Sequence, residues 1–309
     1  MIQQGLFQAR AAGRLLDHKK FIEQYLRKSV FRLSAFSFVS IFIWSDFFDF
    51  NLKVIDENLC IFAENSLGRF MYLPPLGDKI TDRTIQESFN YMEKLNGGSP
   101  VTRIENVGQE ELSLFDPKLY SFYKKSDEYL YRREDIATFK GNRYKSKRSS
   151  YNYFVKHHRF EYLPFEEDMK EDCLRLYDQW QESRRKTYED KIYQQMLEDN
   201  RSVHGLGLSY FRSLGLIGRV VKVEGQIKAY SFGYVLNEEI YCILFEIADF
   251  DIKGLPTYIF SEFCRDKEIE KFNRINAMDD FGMKNIATTK LSFRPCEILP
   301  CYTVTRKKI

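Results

Sequence analysis

Between residues 140 and 160 the chain carries Lys140, Arg143, Lys145, Lys147, Arg148, Lys156 and Arg159 and not one acidic residue, with Tyr144, Tyr151, Tyr153 and Phe154 interleaved. Lysine and arginine answer phosphate charge, and aromatic rings stack on exposed bases, so this segment is fitted to an anionic partner. A tRNA acceptor end, the phosphates of CoA and an anionic lipid head group all meet that description. A solvated basic helix face with its aromatic rings turned inward meets it too. A second group of polar residues, Glu246, Asn276, Asp279, Asp280, Lys290 and Arg294, lies in the last third of the chain. Moving an acyl group from an ester or thioester to an amine requires a route for the amine's proton and donors for the developing oxyanion. Glu246 or Asp280 could accept that proton or bind the amine, with Asp279 beside them. Asn276, Lys290 and Arg294 could orient or neutralise the donor. The bland alternative for Asp279-Asp280 is a cap on the turn before the next helix, and for Arg294-Pro295 a structural ion pair.

The motifs that are missing narrow the chemistry. No GxSxG, P-loop or GxGxxG occurs, which removes the common hydrolase, kinase and Rossmann readings. His18, His157, His158 and His204 lack ligand-like spacing with cysteine or carboxylate, so no metal site is expected. The formal net charge of +3 is too small to argue for nucleic acid by itself. Cys60, Cys173, Cys242, Cys264, Cys296 and Cys301 are scattered without a CxxC pair, which predicts reduced, structural thiols and a cytoplasmic setting. Charged residues through the first thirty positions argue against a signal peptide. Ala35–Trp44, the most apolar stretch, falls short of the ~20 residues that span a bilayer and is expected in the core.

The elements that must position these residues follow from periodicity. Leu52–Ile55, a turn at Asp56-Glu57-Asn58 and Leu59–Phe62 read as a hairpin, and Phe70–Leu73 as a third strand. Ile85, Phe89 and Met92 recur at helical spacing until Gly97-Gly98, Val101–Val107 alternates as a strand, and Gln109–Phe115 reads as a short helix. Residues 120–165, rich in Tyr, Lys and Arg, read as a bridge. Beyond it Met169, Cys173, Leu176, Tyr177 and Trp180 form one apolar stripe, and Tyr188, Ile192 and Met196 another. Val220–Val223, Ile227–Val235 and Ile240–Ile247 form a meander across tight turns, followed by a helix opened by Pro256, a strand at Ile275–Met278, a short helix at Asn285–Leu291 and a last strand at Ile298–Val304.

The order β-β-β-α-β-α thus appears twice, closed by a final strand, which is the layout of the GNAT acyltransferase fold. The expected class is α/β (α+β), two tandem GNAT-like domains, each a mixed, mostly antiparallel sheet flanked by helices. Residues 1–117 form the first, and residues 118–309 the second, which carries the active site. A GNAT that uses acyl-CoA holds the pyrophosphate on backbone N–H groups of a glycine-rich turn ahead of a helix. The corresponding stretch, Asp249–Pro256, offers only Gly254 and carries two acids, which points to a different donor.

Two blocks resemble a known family. The run Tyr129-Leu-Tyr-Arg-Arg-Glu134-Asp135 followed by Gly141-Asn-Arg-Tyr144-Lys-Ser-Lys147-Arg148 resembles the tyrosine-rich strand, "GxxYxxKR" and aromatic-basic helix of the phosphatidylglycerol lysyltransferase C-terminal domain. Asn276-Ala-Met-Asp279-Asp280-Phe-Gly282 and Lys290-Leu-Ser-Phe-Arg294-Pro295 resemble its "NxExDxG" and "KxSYxP" blocks, with Ala277 and Met278 where the family tends to carry Arg and Glu. The resemblance implies a tandem, Fem-like GNAT fold and an acyl or aminoacyl transferase. Its co-substrate would be an aminoacyl-tRNA or acyl-CoA, no cofactor would be bound permanently, and the acceptor would be an amine or a hydroxyl. Lys140, Arg143, Lys147, Arg148, Gly254, Asn276, Lys290 and Arg294 would bind the donor or its phosphates, and Glu246, Asp279 and Asp280 would serve the chemistry. The rival reading is a non-catalytic module that keeps the fold and binds tRNA or anionic lipid through residues 140–160. A third is a CoA-dependent N-acyltransferase acting on a small amine. Oligomeric state has no signature in the sequence.

Overall fold

A computed structural model describes residues 7–9, 12–187 and 190–307. The chain divides into two compact units: residues 1–128, 279–287 and 298–309 form the first, and residues 129–278 and 288–297 the second.

The first unit begins with β1 (Phe7–Ala9), α1 (Ala12–Asp17), α2 (Lys19–Leu26) and α3 (Phe38–Ile43). It continues through β2 (Asp49–Ile55), β3 (Asn58–Asn65), β4 (Gly68–Met71), α4 (Asp82–Asn96), β5 (Ile104–Gly108) and the first nine residues of β6 (Tyr120–Arg132). The apolar stretch at Ala35–Trp44 becomes α3, every residue of which is buried. The β2–β3 hairpin turns on Asp56 and Glu57 alone, both with positive φ (46° and 65°), as a two-residue loop between right-twisted strands requires. The Thr81 hydroxyl accepts from the Thr84 N–H to start α4, and Gly97 in the left-handed region ends it. Ile85, Phe89 and Met92 then pack on Phe62, Met71 and Ile104 in one buried cluster.

The second unit takes up the end of β6 and adds α5 (Arg133–Thr138), α6 (Lys145–His157), β7 (Phe160–Pro164), α7 (Lys170–Thr187), α8 (Lys191–Ser209) and α9 (Phe211–Leu214). β8 (Ile217–Val223), β9 (Gln226–Val235), β10 (Ile240–Ala248), α10 (Leu255–Arg265) and β11 (Arg274–Asp279) follow; α11 (Lys284–Leu291) is divided between the two units, and all of β12 (Glu297–Arg306) but its first residue belongs to the first. Strands run β1-β2-β3-β4-β5-β12-β6 in the first unit and β6-β11-β10-β9-β8-β7 in the second. Neighbours such as β2–β3 and β8–β9 are antiparallel, while β4–β5 and β10–β11 are parallel. Each unit therefore holds a mixed, mostly antiparallel sheet with helices against it, the fold class expected.

Two local expectations need correcting. The stretch from residue 120 is not a bridge, because Tyr120–Arg132 forms a strand of 13 residues. Its lysines and acids mask the pattern in the first part, and the buried succession, Glu128, Tyr129, Leu130 and Tyr131, comes only near its end. On α8, Ile192 is 76% exposed, whereas Tyr193 and Leu197 are buried, so the apolar stripe sits one residue later than read. Tyr188 lies outside the described residues.

Candidate functional site

The site is set by an irregularity in β10. Its pairing with β9 is regular from Ala248 back to Phe245 and shifts between Phe245 and Ile243, leaving Leu244 as an extra residue. Gly233 lies opposite Ile243, and a side chain there would overlap the Cys242 carbonyl oxygen and the Tyr241 ring, so the glycine lets the two backbones close up at the bulge. On its other edge β10 pairs with β11 for only three residues, the last being Cys242 with Asn276. Beyond that point the second half of β10 has β9 on one side and no β11 partner on the other.

Glu246 stands on this unpaired stretch. Solvent reaches its side chain, yet protein surrounds it closely enough that burial pushes its pKa up to about 8, against the pull of Lys290. No hydrogen bond or ion pair engages Glu246 among the described residues. Tyr131 and Cys264 lie within its electrostatic reach. Aromatic rings continue from Tyr131: its ring meets Phe260 edge-on at 5.6 Å, and Phe260 meets Phe293 edge-on at 4.9 Å.

Lys147 ends this series of contacts. Its Nζ lies 3.5 Å from the centroid of the Phe293 ring and donates to Ser292 Oγ at 2.7 Å. Burial, together with the positive charge of Arg294, pulls the pKa of Lys147 down to about 8. No carboxylate pairs with Lys147 or Arg294 among the described residues. Two cations held close without an acid between them form a place for an anion.

Asn276 and Lys290 hold the end of β11. The buried Asn276 accepts from the Met278 N–H through Oδ1 at 2.8 Å, Lys290 Nζ donates to the Ala277 carbonyl, and Met278 is in the left-handed region at φ 63°. Tyr131 Oη donates to the Lys290 carbonyl at 2.8 Å, so one residue ties β6 to the segment that carries Ser292 and Phe293.

The remaining sequence candidates have surroundings of their own. Lys140 is exposed, and Arg143 pairs with Asp135 at 2.7 Å. Arg148 donates to the carbonyls of Phe139 and Gly141, closing the loop ahead of α6. Gly254 opens α10 at φ 92°, where an added side chain would run into the Ser150 carbonyl and Phe154 of α6. Helix α6 thus packs against the first turn of α10. Asp279 and Asp280 belong to the first unit. Asp280 is buried, and its Oδ1 accepts from the N–H groups of Asp127 at 3.2 Å and Gly282 at 2.9 Å. That is the work of a turn-capping acid.

Sequence reasoning passed over Tyr131, Phe260 and Phe293 as walls of a site. Tyr131 and Phe293 lie inside the two motif blocks, and the glycine within Ser231-Phe-Gly233-Tyr is the sort of interruption that marks a bulge in a strand. Among the described residues no cluster of His, Cys, Asp and Glu could hold a metal ion, and no helix is long and apolar enough to cross a membrane.

The family model described as phosphatidylglycerol lysyltransferase, C-terminal, matches residues 27–305. No curated protein matches the chain in sequence. A conserved protein of unknown function from Bacteroides thetaiotaomicron VPI-5482 is similar in structure, with a TM-score of 0.82 at 25% identity over 94% of this chain and 97% of that one. L-PGS from Bacillus licheniformis is similar with a TM-score of 0.63 at 17% identity, over 94% and 92% of the two chains. FemX is similar with a TM-score of 0.55 at 6% identity, over 91% and 95%. The last two likenesses speak for the fold alone, which is Fem-like.

Proposed function

Given that the chain belongs to the phosphatidylglycerol lysyltransferase C-terminal domain family, we propose that it is an acyl or aminoacyl transferase whose second unit carries the chemistry, with Glu246 as the proton acceptor. Family membership supports the transferase-like role. The observation that carries the assignment is the unpartnered Glu246 carboxylate on the stretch of β10 that has parted from β11. The acceptor's amine or hydroxyl attacks the donor's carbonyl carbon, Glu246 takes the proton that the nucleophile loses, and the ester oxygen leaves as the C–O bond breaks and recovers a proton. A group whose pKa lies near neutrality serves both transfers.

The donor we favour is an aminoacyl-tRNA. Two features support this over acyl-CoA: the Asp249–Pro256 turn offers a single glycine and carries two acids, and the Lys147–Arg294 pair with the exposed Lys145, Tyr153 and Lys156 of α6 suits a polyanion with stacked bases. The acceptor we favour is an anionic lipid head group or a small amine.

The test offers labelled aminoacyl-tRNA and labelled acetyl-CoA separately, with phosphatidylglycerol vesicles or hydroxylamine as acceptor. Product from the charged tRNA alone is expected. Product from acetyl-CoA alone would overturn the donor assignment, and product from neither would overturn the transferase reading in favour of a binding module.

A further inference from the structure

Ser231 stands directly opposite Glu246 in the antiparallel register of β9 and β10. Directly paired residues present their side chains on the same face of a sheet, with Cβ atoms about 5 Å apart. The Ser231 hydroxyl is fully buried and has no hydrogen-bond partner among the described residues. Its neighbour across the strands is a carboxylate that also has none. Unpaired buried hydroxyls are uncommon and costly, and a partner that arrives only in one state of the site is a standing reason for one to persist.

We propose that Ser231 is a positioning residue for Glu246: when the glutamate side chain turns back over β9, the Ser231 hydroxyl donates to its ionised carboxylate. No bond is made or broken beyond this hydrogen bond. The glutamate then has two resting places, one toward solvent to meet the nucleophile's proton and one against Ser231 where its negative charge is held. This rests on the reading of Glu246 given above and adds a residue that neither motif block contains. The other titratable or charged groups that face Glu246 are Lys290, at the end of α11, Tyr131 of β6 and Cys264 of α10. Lys290 favours the ionised form, and Ser231 adds a hydrogen-bond donor. In the next position across the sheet Arg219 is opposite Ser231, but its guanidinium is taken up by Asp266 at 2.6 Å and by Glu268.

The experiment titrates the glutamate δ-carbons by 13C NMR in the full chain, with the Glu246 resonance identified by its loss in Glu246→Gln. Because a hydrogen bond to a charged group favours ionisation, Ser231→Ala is expected to move the Glu246 midpoint up by about one pH unit or more, and Ser231→Thr, which keeps the hydroxyl, to leave it near wild type. Equal midpoints in wild type and Ser231→Ala would overturn the proposal, as would a Thr variant that titrates like Ala. No donor or acceptor enters this measurement. A shifted midpoint in a chain without transfer activity would keep the role of Ser231 and sink the transferase reading, while transfer with an unshifted midpoint would do the reverse.

Discussion

Gly207 of α8 rests against the ring of Phe245, so closely that a side-chain carbon at residue 207 would stand 2.5 Å from Phe245 Cε2. Phe245 cannot retreat freely, because the His204 ring stacks on it at 3.9 Å. It is also the first residue beyond the bulge and the immediate neighbour of Glu246 on the opposite face of β10. Gly207→Ala should therefore destabilise the second unit by ~1–3 kcal/mol through overpacking and displace Glu246 without touching it. At Gly205, two residues earlier, an added side-chain carbon would meet Arg201 Nη1 at 3.9 Å, an ordinary contact with the end of a flexible side chain. Gly205→Ala should stabilise the helix by up to ~1 kcal/mol. Thermal unfolding of the two variants checks both signs.

Glu246 should cost the protein stability at neutral pH. Its pKa in the folded chain is about 8 against an ordinary 4.5, so the folded state binds its proton more tightly than the unfolded state does. The stability tied to that proton is fully present below pH 4.5 and is lost as pH rises through about 8. Glu246→Gln keeps a neutral group in place. Its melting temperature should match wild type at pH 4.5 and exceed it increasingly toward pH 8, as calorimetry across that range would show.

Lys147 and Arg294 should bind an anion in a pH-dependent way. Lys147 loses its charge as pH rises through about 8, so affinity for tRNA should fall across that point. Lys147→Ala should weaken binding about tenfold and lower the salt dependence by roughly one phosphate contact. Arg294→Ala removes the charge that holds the Lys147 pKa down, and should move the midpoint of the pH effect upward. Binding titrations at several pH values and salt concentrations distinguish these outcomes.

Asp280 should prove structural. Its carboxylate satisfies two backbone N–H groups from a buried position, so Asp280→Ala should cost ~1–3 kcal/mol of stability in the first unit. Any transfer activity that survives should scale with the folded fraction. A stable Asp280→Ala chain without turnover would contradict this.

The legible parts of the molecule were those whose cause is local. The turns at Asp56-Glu57 and Glu224-Gly225 were legible as turns, although Asn58, read as part of the first, opens β3 instead, and Ile85, Phe89 and Met92 announce the buried face of α4. The site was legible only in its parts. Lys147 and Arg148 are adjacent and alike in sequence, yet one lies against Phe293 and the other is spent on the carbonyls of Phe139 and Gly141. Asp280 looks as reactive as Glu246 until the backbone of Asp127, 153 residues away, is seen to occupy it. The parting of β10 from β11 depends on cross-strand register, which side-chain periodicity in a single strand does not encode. Tyr131, Phe260 and Phe293 come from three separate segments and meet only in the folded chain.

The most direct test of the central claim is the rate of aminoacyl transfer from charged tRNA as a function of pH, in wild type and Glu246→Gln. If Glu246 accepts the proton, the wild-type rate should climb with pH as the carboxylate ionises and level off near pH 8, while the Gln variant should be slower by about 100-fold or more and lack that rise. A Gln variant with the wild-type rate and the same pH profile would remove Glu246 from the chemistry and the assignment of the site with it.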